Sequence, residues 1–180
     1  MRFALFMGCT VPVRARNYEL STRAVAQTLG IELVDIREFA CCGFPLKAVN
    51  EQTTLHIAAR NLCLAEEKGL GICSICSACT SVLTETRHKL LHDEKLRESV
   101  NEKLKVLGHE YKGTAEVKHF GRILYEDVGI DTLKQKFTRD LGALALAPHY
   151  GCHYLKPSEI YDSFDSVEAP HSLDELIEAT

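Results

Sequence analysis

Each of three short apolar runs in this chain is followed within a few residues by cysteine. Arg2–Met7 leads to Cys9, Ile31–Ile36 to Cys41-Cys42-Gly43, and Leu70–Ile75 to Cys76 and Cys79. Thirty-one residues separate Cys9 from Cys41, and thirty-three separate Cys42 from Cys76. The runs read as buried strands. Between the first two, Tyr18, Thr22, Val25 and Leu29 share one helical face, and Gly30 is placed to end the helix. Between the second and third, Leu55, Ala59, Leu62 and Cys63 form a stripe within Glu51–Lys68, closed by Gly69. Strands alternating with helices predict an α/β fold on a parallel, doubly wound sheet. Such sheets hold ligands at their carboxyl edge, where all five of these cysteines would fall.

Beyond the third run the pattern changes. Ser77 to about Leu107 is polar and charged with spaced leucines, which predicts two surface helices broken near His92-Asp93. Val117, Phe120, Leu124 and Val128 predict an amphipathic helix, and Leu144–Pro148 a fourth strand. Residues 144–179, with LALAPHYGCHYLKP, resemble residues 3–30, with FALFMGCTVPVR, so Cys152 corresponds to Cys9. At the first copy's spacing, the next cysteine pair would lie a few residues past Thr180. The expected organisation is one domain over 1–140, then the opening strand and helix of a shortened second copy over 141–180.

The bulk chemistry narrows the function. A net charge of −4 and the lack of a basic run give no electrostatic footprint for nucleic acid. The apolar stretch Phe3–Gly8 is too short for a membrane span or a signal-peptide core, so no membrane insertion and a cytoplasmic location are expected. In a reducing compartment, eight cysteines point to metal or redox use rather than to a disulfide framework.

Five convergent thiols, Cys9, Cys41, Cys42, Cys76 and Cys79, are hard to explain as packing. Adjacent cysteines seldom close a disulfide with each other, because the ring is strained. Both can ligate a metal if the backbone there is not helical. Amides at the start of the helix near Ser77 would favour an anionic group. An ordinary iron–sulfur cubane takes four thiolates, one fewer than this set offers. Zinc, which takes four ligands, is the alternative metal. Thiol–disulfide exchange through Cys76 and Cys79 is the metal-free reading, and it leaves Cys9, Cys41 and Cys42 without a role. Cys73 completes a C-x2-C-x2-C run, but no Cys-Pro follows as a ferredoxin run requires. It reads as a packed strand thiol, Cys63 as core and Cys152 as a free thiol. His149 and His153 flank Cys152 and are the candidate proton donors for a leaving thiolate. His88, His92, His109 and His119 read as solvated.

Cys9, Cys41-Cys42-Gly43 and Cys76-x-x-Cys79 together resemble the cysteine-rich CCG domain family, that of the heterodisulfide reductase B subunit. Related domains occur in iron–sulfur subunits of glycolate, lactate and glycerol-3-phosphate oxidoreductases. The resemblance implies a non-cubane 4Fe–4S cluster on Cys9, Cys41, Cys42, Cys76 and Cys79. It also implies cleavage of a disulfide, such as that of coenzymes M and B, in one-electron steps. The implied partners are a ferredoxin-like iron–sulfur subunit and the flavoprotein subunit that feeds it. Members usually carry two such domains, and the second ligand set beyond Cys152 is absent from this chain.

Overall fold

A computed structural model describes residues 1–180. Strand β1 (Arg2–Phe6) runs into a one-turn helix α1 (Val11–Arg14) and then α2 (Arg16–Thr28). Next come β2 (Glu32–Asp35), α3 (Glu51–Glu66), β3 (Gly71–Ser74), α4 (Ser77–His92), α5 (Glu94–Lys105) and β4 (Val117–His119). The four strands make one sheet in the order β2-β1-β3-β4, with every pair parallel. The chain leaves β1, adds β2 on one side, then returns to add β3 on the other. The carboxyl edge between β1 and β3 is therefore a topological switch point.

Strand periodicity divides the core into two layers. Ala4 and Phe6 of β1 and Ile72 of β3 pack with α3, α4 and α5, whereas Leu5 and Cys73 point to the opposite face, with Ala26 of α2. That second face is completed by Phe120 and Ile123, from α6 (Phe120–Arg122) and the π-helical turn Ile123–Val128 that continues it. After α7 (Ile130–Lys134) the chain runs without regular structure to α8 (Cys152–Leu155), and it ends in α9 (Ser172–Glu178). Helices cover both faces, as a doubly wound sheet requires. No helix is long and apolar enough to cross a membrane.

Four expectations are corrected. The fourth strand is Val117–His119 rather than Leu144–Pro148, because Val117 and His119 find the open edge of β3 at Ile72 and Ser74. Leu144 and Leu146 are both about half exposed, so their alternating pattern has no buried face to stand on. The amphipathic helix begins only at Phe120. The segment after Ser77 does break at His92-Asp93, where Asp93 caps α5 by accepting the Leu96 N–H at 2.9 Å. Its first helix, however, is not a surface helix: Thr80, Ser81, Thr84 and Thr86 of α4 are buried alongside Val82 and Leu83. Small hydroxyl residues made a central helix look polar. Finally, α2 buries Thr22 and Ala26, while Tyr18 and Val25 remain well exposed.

Candidate metal centre

The loop after β1 carries Gly8 in the left-handed region, with φ of +68°. A Cβ on this residue would sit 2.7 Å from Cys79 Sγ, so only glycine lets the β1 loop lie against the thiol that follows β3. Cys9, the next residue, is exposed at the rim.

The Cys41-Cys42-Gly43 loop after β2 is clamped by helix α3. Asn61, fully buried, accepts the Ala40 N–H through Oδ1 at 3.0 Å and donates from Nδ2 to the Cys41 carbonyl at 3.2 Å. Thr54 Oγ1 donates to the Gly43 carbonyl at 3.2 Å. Gly43 has φ of +91°, and a Cβ there would press on Thr54 at 3.1 Å. This turn aims two amides at the thiols: Gly43 N–H at Cys41 Sγ and Phe44 N–H at Cys42 Sγ, each 3.5 Å away. Asn61 and Thr54 had no signature in the sequence beyond being polar positions within an apolar stripe.

After β3, Cys76 occupies the N-cap position of α4. Ser74 Oγ accepts the Cys76 N–H at 3.4 Å, and Thr80 Oγ1 donates back to the Cys76 carbonyl at 3.1 Å. The amides of Ala78 and Cys79 face the Cys76 sulfur. They make no capping hydrogen bond but still favour its thiolate.

The five thiols are close enough for each to shift the ionisation of a neighbour: Cys9 acts on Cys41, Cys41 on Cys42, and Cys79 on both Cys42 and Cys76. Hydrogen bonding to Cys79 brings Cys76 down to about 6 and Cys42 down to about 7. Burial opposes both shifts, while the nearby amides and, for Cys76, the closeness of His153 assist them. Cys79 is pushed up because its hydrogen serves both neighbours. Cys41 is raised, first by desolvation. Two thiols poised to ionise around a third that holds its hydrogen is a donor set ready to trade protons for a cation.

No three His, Cys, Asp or Glu side chains already stand in metal-holding geometry, so the sulfurs do not form a closed cage. The fit to a metal or cluster therefore rests on the donor set: soft thiols from three loops, two with lowered pKa, with amides aimed at their sulfurs. An iron–sulfur cluster suits that set, and Cys9 and Cys41 leave its outer side open to solvent.

The remaining cysteines and histidines separate cleanly. Cys63 and Cys73 are fully buried, and burial pushes each up to about 12. Cys152 is exposed. His153 packs its ring edge-on against Phe44 at 4.9 Å, near enough to favour the Cys76 thiolate, whereas His149 lines a different cleft beside α2. Two histidines expected in solvent are not there. His119 is held down at about 4 by burial, with Nδ1 accepting the Gly121 N–H at 3.1 Å. His109 pairs with Glu67 at 2.6 Å. Over Cys9 and Cys41 opens a cleft of about 430 Å³, bordered by Arg23, Asp35 and Arg37.

Residues 3–84 match the CCG cysteine-rich domain. Over 99% of its length the chain is 37% identical to a protein of Archaeoglobus profundus described as like the heterodisulfide reductase B subunit, covering 61% of that protein. It is 39% identical to the B subunit of the ferredoxin/F420H2-dependent CoB-CoM heterodisulfide reductase of Methanosarcina acetivorans, covering 60% of it. It is 34% identical over 98% of its length to the 8-methylmenaquinol:fumarate reductase membrane anchor subunit of Wolinella succinogenes, covering 61%. The chain thus spans about three fifths of these relatives. A hypothetical protein from Helicobacter pylori shares the fold, with a TM-score of 0.63 at 21% identity over 69% of this chain and 25% of that one.

Proposed function

Because residues 3–84 match the CCG cysteine-rich domain and the chain is 35–39% identical to heterodisulfide reductase B subunits and a protein like them, we propose that it is an electron-transferring iron–sulfur subunit that delivers electrons to a disulfide. The observation that carries this reading is that three loops at one sheet edge deliver Cys9, Cys41, Cys42, Cys76 and Cys79, with Gly8 leaving room for Cys79 Sγ against the β1 loop. These five residues would hold a non-cubane 4Fe–4S cluster, with zinc on four of them as the alternative. Bound there, the cluster would supply one-electron transfer and soft iron for a sulfur fragment. The protein's own part is to hold the sulfurs. Asn61 and Thr54 fix the Cys41-Cys42 turn, and Gly8 lets Cys79 approach. The amides of α4 and of the Cys41-Cys42-Gly43 turn stabilise the negative charge of the thiolates. His153, beside Cys76, is the residue assigned to protonate a departing thiolate.

In this reading the chain works in the cytoplasm within a complex, taking electrons from a ferredoxin-like iron–sulfur subunit fed by a flavoprotein subunit. Residues 1–140 form the cluster domain, and 141–180 open a second unit. The short helix α8 beginning at Cys152 parallels α1, which begins two residues after Cys9. A second reading, electron exchange with a quinol-linked chain, is favoured by the likeness to the Wolinella protein.

The test is iron, zinc and acid-labile sulfide content per chain after purification without oxygen, followed by reduction of a model disulfide with a chemical electron donor. Several irons with matching sulfide, and donor-dependent thiol release, support the first reading. Zinc near one atom or no metal overturns it. Iron without disulfide reduction favours the second.

A further inference from the structure

Helix α3 presents two faces side by side. Thr54 and Asn61 hold the Cys41-Cys42-Gly43 turn. On the adjoining face Gln52, Ile57 and Arg60 line a cleft of about 600 Å³, closed from the end of α5 by Lys103, Leu104 and Leu107. None of its eight lining residues is Asp or Glu, in a chain where acidic residues outnumber Lys and Arg by 25 to 21.

Its two cations are uncommitted. Arg2, Arg23, Lys47, Lys89, Lys118 and Arg122 each hold a carboxylate. Arg60 gives one N–H to the Glu38 carbonyl at 2.9 Å, and neither it nor Lys103 has an ion pair. The carboxylates at the two ends of α3 are taken, Glu51 by Lys89 and Glu67 by His109. Glu102, beside Lys103 on α5, lies outside the lining. Between the cations the floor is apolar: Leu104 is buried, while Leu107 is 60% exposed and Val106 next to it 84%. The lining follows α3 from Gln52 to Arg60, about two helical turns, so it suits an extended protein segment better than a compact ion.

Its place in the fold says what would dock there. Cys9 and Cys41 border the cleft that carries Arg23, Asp35 and Arg37, which leaves that side to substrate. The α3 groove reaches the same cysteine loop from behind, so an occupant would lie about one helix diameter, roughly 10 Å, from it. Arg60 binds that loop at Glu38, and Asn61, the next residue, binds it at Ala40 and Cys41.

We propose that the groove between α3 and the end of α5 docks the electron-donating subunit. The docked segment would carry Asp and Glu for Arg60 and Lys103, around an apolar side chain seated on Leu104 and Leu107. This rests on the electron-transfer reading above. The donor gives up one electron and is oxidised, the cluster on the five cysteines takes it and is reduced, and no bond forms or breaks.

The probe is an acidic two-iron ferredoxin. In oxidised form it is titrated by calorimetry into the full chain purified without oxygen, a measurement that needs no cluster. Affinity is expected to fall at least tenfold from low to high salt, because the paired charges are exposed. Lys103→Glu, at an exposed position, should weaken binding about tenfold at low salt. Lys134→Glu, on α7, changes the net charge equally and should leave affinity within about twofold. In stopped flow, reduced ferredoxin should reduce the Lys103→Glu chain about tenfold more slowly, while dithionite reduces both chains at one rate. Absent binding, or equal weakening by Lys103→Glu and Lys134→Glu, would overturn the docking site. A chain that dithionite cannot reduce, but whose ferredoxin affinity still depends on Lys103, would overturn the electron-transfer reading and leave the acidic docking site standing.

Discussion

Cys73 and Cys76 stand three residues apart, one inside the sheet and one just past its edge, and their chemistry differs accordingly. Cys73 lies on β3 between Leu5 of β1 and Lys118 of β4, fully buried, and burial pushes it up to about 12. Cys76 sits where the ladder has ended. The Cys79 thiol and the first amides of α4 bring it down to about 6. Cys63 in the core and Cys42 in the β2 loop repeat the contrast, at about 12 and about 7. Apolar packing supplies no group to stabilise a thiolate, whereas a strand end opens the backbone and exposes unpaired N–H groups. Position relative to the strand end sorts the acidic thiol from the protonated filler.

Selective alkylation should break or confirm this contrast by the widest margin. At pH 7, in metal-free protein, Cys76 is mostly thiolate and Cys73 almost none. The lower intrinsic nucleophilicity of an acidic thiol returns part of that advantage, leaving a rate ratio of roughly 10² to 10³ for iodoacetamide. Mass spectrometry of labelled peptides measures it, and equal rates would erase the distinction. Iron retention comes next. Cys42→Ser is expected to lower iron per chain about tenfold, since loss of one of several thiolate ligands undermines the rest. Cys73→Ser and Cys152→Ser should keep it. Iron lost equally in Cys73→Ser would place that residue among the ligands.

The same contrast predicts a pH profile for the metal-free chain. Cys42 and Cys76 have folded pKa values below that of an unfolded thiol. From about pH 6 to 9 they are ionised in the folded state while the unfolded chain binds their protons, so stability rises with pH. Above about pH 9 the unfolded chain ionises, while Cys63 and Cys73 keep their protons up to about 12, so stability falls. Each proton difference sets a slope of at most about 1.4 kcal/mol per pH unit. Urea unfolding at pH 6, 9 and 11 should give the highest midpoint near 9. A midpoint that falls from 6 to 9 would reverse the assignment of the edge thiols.

How much of this could be read from the chain follows from how local each cause is. Strands β1 and β3 and helix α3 were legible because their apolar runs and stripe coincide with what is buried, whereas β2 was legible from Ile31 and Ile36 at its ends, its own residues Glu32–Asp35 being half-buried or exposed rather than buried as expected. The convergence of five cysteines followed from where parallel strands end. Helix α4 was misread because its contacts are made by threonine and serine, which hydropathy counts as polar whether or not a neighbour covers them. β4 was misplaced because three residues gain strand geometry only from the open edge of β3. Asn61 was silent for the same reason: its value lies in two backbone groups about twenty residues away.

Gly8 and Gly30 offer the finest test of the edge. Their φ angles match, +68° and +69°, so alanine at either pays the same left-handed strain, about 1–2 kcal/mol. They differ in surroundings: a Cβ at Gly30 meets nothing within 4 Å, and one at Gly8 meets Cys79 Sγ at 2.7 Å. Gly30→Ala should therefore lose only the backbone term and bind iron normally. Gly8→Ala should lose about 1 kcal/mol more, on the scale of a mild overpacking, and should also bind less iron because Cys79 has moved. The pair subtracts backbone from contact. Equal losses in both, with iron retained in both, would mean that the β1 loop can shift away from Cys79 at no cost. The five thiols would then be held by α3 and α4, and not by the approach of Gly8.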